Sequence, residues 1–131
     1  MTSQPNIILI VEDEPDILYI LRSLIRELTA GYEIIAVSSG AAALEQLAQR
    51  SVALLITDYH MPEMTGLELA EQVRDGWPTI PVIMVTAYST ARIEKQATAA
   101  GVREFLAKPF ALEHLKAALA RMLGSGGKTA G

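Results

Sequence analysis

The chain has 131 residues, a formal net charge of −4 and no cysteine. That length supports one domain with its own core and not two. The missing thiols exclude disulfides, thiolate zinc sites and cysteine nucleophiles, and the acidic balance argues against a nucleic-acid surface, which needs basic patches. Half the residues are hydrophobic and a fifth are charged, as in ordinary globular proteins. The start MTSQPN lacks the basic and apolar regions of a signal peptide. No apolar run approaches the ~20 residues of a membrane helix. A small α/β or α+β domain in the cytoplasm is expected, without membrane or direct nucleic-acid contact.

Short apolar runs alternate with segments of helical period. Ile7–Val11 (IILIV) reads as a strand buried on both faces. Pro15 suits a first helical turn, where its missing N–H costs nothing. Ile17, Leu21, Leu24 and Leu28, with Leu18 and Ile25 beside them, trace one face of that helix, and Gly31 ends it. Glu33–Val37 predicts a second strand, and Ser38 or Ser39 can cap the alanine-rich helix through Leu44, Leu47 and Ala48. Residues 52–57 (VALLIT) form a third strand leading into DYHMPEMTG, a loop broken by Pro and Gly. Helical period returns over Leu67, Ala70 and Val73 and stops near Gly76, and residues 81–85 (PVIMV) are the fourth strand. A helix over 90–100 has few large apolar residues, so its anchoring is thin. Glu104–Ala107 is a short fifth strand, and a last helix over about 111–123 buries Leu112, Leu115, Leu119 and Met122.

Five βα units in succession imply a parallel sheet with helices on both faces, because the crossovers are right-handed. Residues 1–6 read as an N-terminal extension, 7–123 as the folded domain, and 124–131 as a flexible glycine-rich tail or linker. The tail's GGKT is not a P-loop. Met122 stands where that motif needs Gly, and the segment follows a helix instead of a strand.

In a doubly wound sheet, ligands bind beyond the carboxyl ends of the strands. Those ends carry Glu12 and Asp13, then Asp58, Thr86 and Lys108. Three carboxylates in a partly dehydrated cleft repel one another and resist ionising. A hard divalent cation relieves this, and Mg²⁺ commonly takes one or two carboxylates, several waters and a phosphate. Zinc is a poor alternative, since His60 alone makes no zinc site. A carboxylate flanked by Mg²⁺ and the Lys108 ammonium can attack phosphorus, because both cations stabilise charge on the transferring oxygens. The strand ends point to an aspartyl phosphate on Asp58.

VEDEP after strand one, ITDYHMPEMTGLEL around Asp58, VTAY after strand four and FLAKPF at strand five together resemble the receiver domain of two-component response regulators. The resemblance spans residues 7–123. It implies a (βα)5 doubly wound, flavodoxin-like parallel sheet with strand order 2-1-3-4-5. It implies Asp58 as phosphoacceptor around a Mg²⁺ ion, with Asp13 a direct metal ligand, Glu12 a ligand mainly through water, and His60 a ligand through its backbone carbonyl. Lys108 is then the partner of the phosphoryl group. Thr86 is the hydroxyl that moves to a phosphoryl oxygen, and Phe105 the aromatic that swings inward behind it. Pro109 falls at a cis-prolyl position, and Gly66 at the turn glycine before the third helix. Glu12 stands where the family often has Asp, and Phe105 where Tyr is commoner. His60 and Tyr88 flank the acceptor, where their bulk is expected to slow loss of the phosphoryl group to water. The implied partners are a histidine kinase or histidine phosphotransfer domain, a downstream effector protein or domain, and a second copy of the chain on phosphorylation.

Plainer readings hold for several neighbours. Glu14 and Asp16 suit a helix start through the helix dipole. Thr86 and Phe105 on their own would be an ordinary strand end and a core aromatic. His114 and Trp77 read as surface or half-buried, and Arg92, Lys95, Arg103 and Lys116 as solvated. A phosphatase of the haloacid-dehalogenase type carries a second Asp two residues after its nucleophile, where this chain has His60. A pseudo-receiver keeps the fold and loses the chemistry, yet Asp13, Asp58, Thr86 and Lys108 are all present.

Overall fold

The wholly apolar run at residues 7–11 needs cover on both sides, and the fold supplies it. A computed structural model describes residues 5–87 and 89–124. Five strands, β1 (Ile7–Val11), β2 (Glu33–Val37), β3 (Val52–Asp58), β4 (Val82–Thr86) and β5 (Glu104–Ala107), alternate with five helices. These are α1 (Pro15–Leu28), α2 (Gly40–Gln49), α3 (Gly66–Gly76), α4 (Ala91–Ala99) and α5 (Leu112–Leu119). The strands pair in parallel in the order β2-β1-β3-β4-β5, the doubly wound arrangement expected. All five residues of β1 are buried. Ile7, Leu9 and Val11 join the cluster under α2, α3 and α4, while Ile8 and Ile10 join the one under α1 and α5. The winding reverses between β1 and β3, so α1 and α3 leave the sheet on opposite faces and the strand ends open between them.

Capping sets several boundaries. Ser39 accepts from the Ala42 amide at 3.1 Å and starts α2. Thr65 and Glu68 form a reciprocal capping box on α3, and Thr90 accepts from the Ile93 amide on α4. Pro15 occupies the first turn of α1. Two strands run one residue further than the apolar pattern alone predicts, since β3 ends on Asp58 and β4 on Thr86. Helix α5 ends at Leu119 and continues as a π-helical turn, Ala120–Gly124. The expected burial of Leu112 does not hold: it is 49% exposed. Its whole helical turn faces solvent, and the buried stripe begins one turn later at Leu115. Met122 is partly buried against the same cluster. Of α4, only Ala97 is buried, in line with the thin anchoring expected.

Among the described residues no helix is long and apolar enough to cross a membrane. Tyr88, most of the expected N-terminal extension and most of the tail lie outside the described residues.

The β3–α3 loop bends through Glu63, whose φ of 72° is a left-handed conformation on a non-glycine residue. A Cβ costs about 1 kcal/mol there, and glycine removes that strain while adding freedom to the unfolded chain. Glu63→Gly is therefore expected to stabilise the fold by about 0.5 kcal/mol, a rise in melting temperature of roughly 1–3 °C. Calorimetry showing an unchanged or lower melting temperature would refute this reading of the loop.

Candidate functional site

Four strands deliver polar side chains to one edge. Glu12 and Asp13 follow β1, Asp58 and Thr86 are the last residues of β3 and β4, and Lys108 follows β5. Lys108 Nζ lies 3.0 Å from Asp58 Oδ1 and 3.3 Å from Glu12 Oε1. Its main-chain amide donates to the Thr86 carbonyl at 2.7 Å, and the Lys108–Pro109 peptide bond is cis. The Glu14 amide donates to Glu12 Oε2 at 3.2 Å, so the helix start of α1 also holds Glu12. Carboxylate oxygens of Glu12, Asp13 and Asp58 lie within 4.8 Å of one another. With Glu14, His60, Ala87 and Lys108 they line a cleft of about 280 Å³.

The charges do not balance, because three carboxylates face one ammonium. Glu12 is 1% exposed, and burial pushes its carboxyl above the ordinary 4.5. The Glu14 amide and Lys108 pull it down and the Asp58 charge pushes it up, with a net rise. Burial likewise pulls Lys108 down, but hydrogen bonds and charge from Asp58 and Glu12 outweigh it and hold the ammonium more basic than usual. Lys108 therefore stays charged at neutral pH, while Glu12 is a carboxylate whose negative charge is poorly compensated. An all-oxygen cluster with surplus negative charge fits a hard divalent cation. The residues present thus suit Mg²⁺.

The sequence matches the response regulator receiver domain over residues 8–120. The chain belongs to this family. It is 35% identical over 114 residues to the transcriptional regulatory protein KdpE of Mycobacterium tuberculosis, a match covering 87% of this chain and 49% of KdpE. The chain thus spans about half the length of that relative. Among solved structures it superposes on the signal receiver domain of an HD domain-containing protein from Pseudomonas fluorescens with a TM-score of 0.85, at 27% identity, covering 94% of this chain and 97% of that one. It superposes on the chemotaxis response regulator CheY4 of Vibrio cholerae with a TM-score of 0.81, at 29% identity, covering 92% of this chain and 100% of that one. As a receiver it is a phosphorylation-controlled signalling domain of two-component systems, a phosphoacceptor regulator instead of a conventional enzyme.

The receiver brings Glu12, Asp13, Asp58 and Lys108 together, with His60 bordering the cleft and its ring edge-on to Tyr59 at 4.8 Å. Thr86 is fully buried at the end of β4. Phe105 is not in the cleft. It is partly buried against the cluster under α2, α3 and α4, and it pairs with Met84, two residues before Thr86, so both switch candidates face the same side of the sheet. Gly66 is required by close approach: a Cβ there would stand 2.1 Å from the Asp58 carbonyl oxygen, and its amide donates to the Tyr59 carbonyl at 2.8 Å.

Two features carry no motif. Beside the cleft lies an apolar groove lined by Ile17, Ile20, Leu24, Pro109 and Phe110 among others, and Ala87 and Lys108 border both. Its only sequence signal is Ile20, three residues after Ile17 and still 55% exposed. Thr57 reads from sequence as a β-branched strand residue, and nothing marks its hydroxyl.

The raised Glu12 pKa has a stability consequence in metal-free protein. A carboxyl whose folded pKa exceeds its unfolded value contributes stability below about 4.5 that is lost as pH rises through the folded value. Glu12→Gln removes that loss, so its stability relative to the parent is expected to improve as pH rises from about 4.5 through the raised pKa. Mg²⁺ should stabilise the parent more than the variant. Urea titrations at a series of pH values with and without Mg²⁺ check both, and a difference that is flat with pH would contradict the assignment.

Proposed function

We propose that Asp58 accepts a phosphoryl group from a phosphohistidine presented by a histidine kinase or a histidine phosphotransfer domain. The observation that carries this is Lys108 bridging Asp58 and Glu12 at the mouth of the three-carboxylate cleft. An Asp58 oxygen attacks phosphorus, the new O–P bond forms as the P–N bond breaks, and the histidine nitrogen leaves and takes up a proton. Mg²⁺, held by Glu12, Asp13, Asp58 and the His60 carbonyl, supplies compensation for charge on the phosphoryl oxygens when bound. Lys108 supplies a second positive charge, already 3.0 Å from the nucleophile's carboxylate. The negative surplus of the resting cleft would be offset by the cation, which lets an anionic phosphoryl donor approach.

The response is a repacking. The Thr86 hydroxyl follows the phosphoryl group and Phe105 fills the space behind it, which alters the face made by α4, β5 and α5. That face is read by a downstream effector protein or domain, or pairs with a second copy of the chain. Complete reversal from 1:99 to 99:1 takes about 5.5 kcal/mol of differential interaction, within reach of a few new charge-assisted hydrogen bonds. A cytoplasmic location suits a partner that uses ATP-derived phosphohistidine. The bulk of His60 beside the acceptor slows hydrolysis of the acyl phosphate.

The decisive measurement is intact mass after incubation with Mg²⁺ and a small phosphodonor such as acetyl phosphate. One added phosphoryl group is expected, absent in Asp58→Asn and formed at least about tenfold more slowly in Lys108→Ala. No addition, or an addition that survives Asp58→Asn, overturns the reading. Sustained release of phosphate from simple esters would instead favour a phosphatase.

A further inference from the structure

Thr57 is a buried hydroxyl that neither metal binding nor the proposed switch uses. It has no exposed surface and sits in register between Val11 of β1 and Met84 of β4, both buried and apolar. Valine has the same shape and the same preference for a strand, and it would carry no polar atom into this position. A buried hydroxyl is unfavourable unless it is bonded. Here the Thr57 hydroxyl donates to the main-chain carbonyl of the next residue, Asp58, at 3.0 Å.

That carbonyl lies where pairing continues on one side only: Asp58 is in register with Val85 of β4, whose carbonyl accepts from the Tyr59 amide at 3.0 Å. The β1–β3 register ends at Val11–Thr57, so β1 has no residue in register with Asp58. The Gly66 backbone closes in on the Asp58 carbonyl oxygen, leaving no room for a Cβ. The N–H end of the Asp58–Tyr59 peptide is thus held by β4, and its carbonyl end by the Thr57 hydroxyl beside a close backbone contact. Its orientation governs two things at once: the direction in which the Asp58 side chain leaves β3, and the path of the main chain toward His60.

We infer that Thr57 is a positioning residue for the phosphoacceptor, its hydroxyl fixing the Asp58–Tyr59 peptide so that the Asp58 carboxylate and the His60 carbonyl face the same cleft. This rests on the function proposed above. It differs from a packing role in one respect, namely that the hydroxyl matters and the methyl does not.

The test compares Thr57→Val, Thr57→Ala and Thr57→Ser with the parent in the full chain. One measurement is the rate constant of phosphorylation by acetyl phosphate; the other is the Mg²⁺ concentration at half-saturation, read from thermal stability in a MgCl2 titration. Val and Ala are expected to slow phosphorylation and weaken Mg²⁺ binding by about three- to tenfold, the range of one net hydrogen bond, while Ser stays within about twofold of the parent. Parent-like behaviour of Val in both measurements overturns the inference. So does a Ser variant as impaired as Val, which would mean that packing is what counts. If Val fails to fold, the Ala and Ser pair decides. If the parent itself takes up no phosphoryl group, the function proposed above fails, and the Mg²⁺ titration alone judges Thr57.

Discussion

One ammonium among three carboxylates is the constraint around which this sheet edge is built. Lys108 reaches both Asp58 and Glu12, but it can compensate only part of the negative charge gathered there. Like charges under 5 Å apart repel by roughly 3 kcal/mol per pair at the effective dielectric of a protein. That is a sizeable fraction of the 5–15 kcal/mol that holds a typical domain folded. The arrangement persists because each acid is attached to structure that cannot move aside. β1 is buried on both faces, β3 is the middle strand of the sheet, and the cleft inherits their rigidity. The resting protein is thereby poised to favour whatever brings positive charge.

Precision and compliance are placed in different parts of the molecule. Glu12 and Asp13 directly follow β1 and Asp58 ends β3, the two strands with the most extensive pairing. The elements that would report the event are the short β5 and the lightly packed α4. Between them runs a row in register across four strands, Val11, Thr57, Met84 and Phe105, one residue behind the acceptor. Interiors packed at crystal-like density pass small displacements on to neighbours instead of absorbing them. Phe105 is therefore mechanically adjacent to the site without touching its charges.

Much of this was legible in the amino-acid order because the signals are local. IILIV can only be a strand covered on both sides, and the acids that follow it have no reason to cluster unless a cation is expected. The strand ends were less legible. Apolar periodicity stops at the last hydrophobic residue, whereas main-chain pairing carries β3 to Asp58 and β4 to Thr86. Leu112 misled for the opposite reason: it keeps the helical spacing, but the first turn of α5 has no core to face. The Thr57 bond could not be read at all. A hydroxyl donating to the next residue's carbonyl leaves no periodicity, and it acquires meaning only once the end of the β1–β3 register is known.

Helix α4 buries one side chain, the methyl of Ala97, against the cluster beneath it. Two residues on, at the same end of the helix, Arg74 of α3 donates to the Ala99 carbonyl at 3.1 Å. A methyl group has no rotamer to lose and fills no socket. The start of α4, where Ile93 is half-buried and no side chain is fully buried, can therefore shift without leaving a large cavity behind. Helices seated by leucines cannot do this, since each knob would have to climb out of its hole. α4 is fastened at its C-terminal end, through Ala97 and Ala99, and only lightly seated at its start.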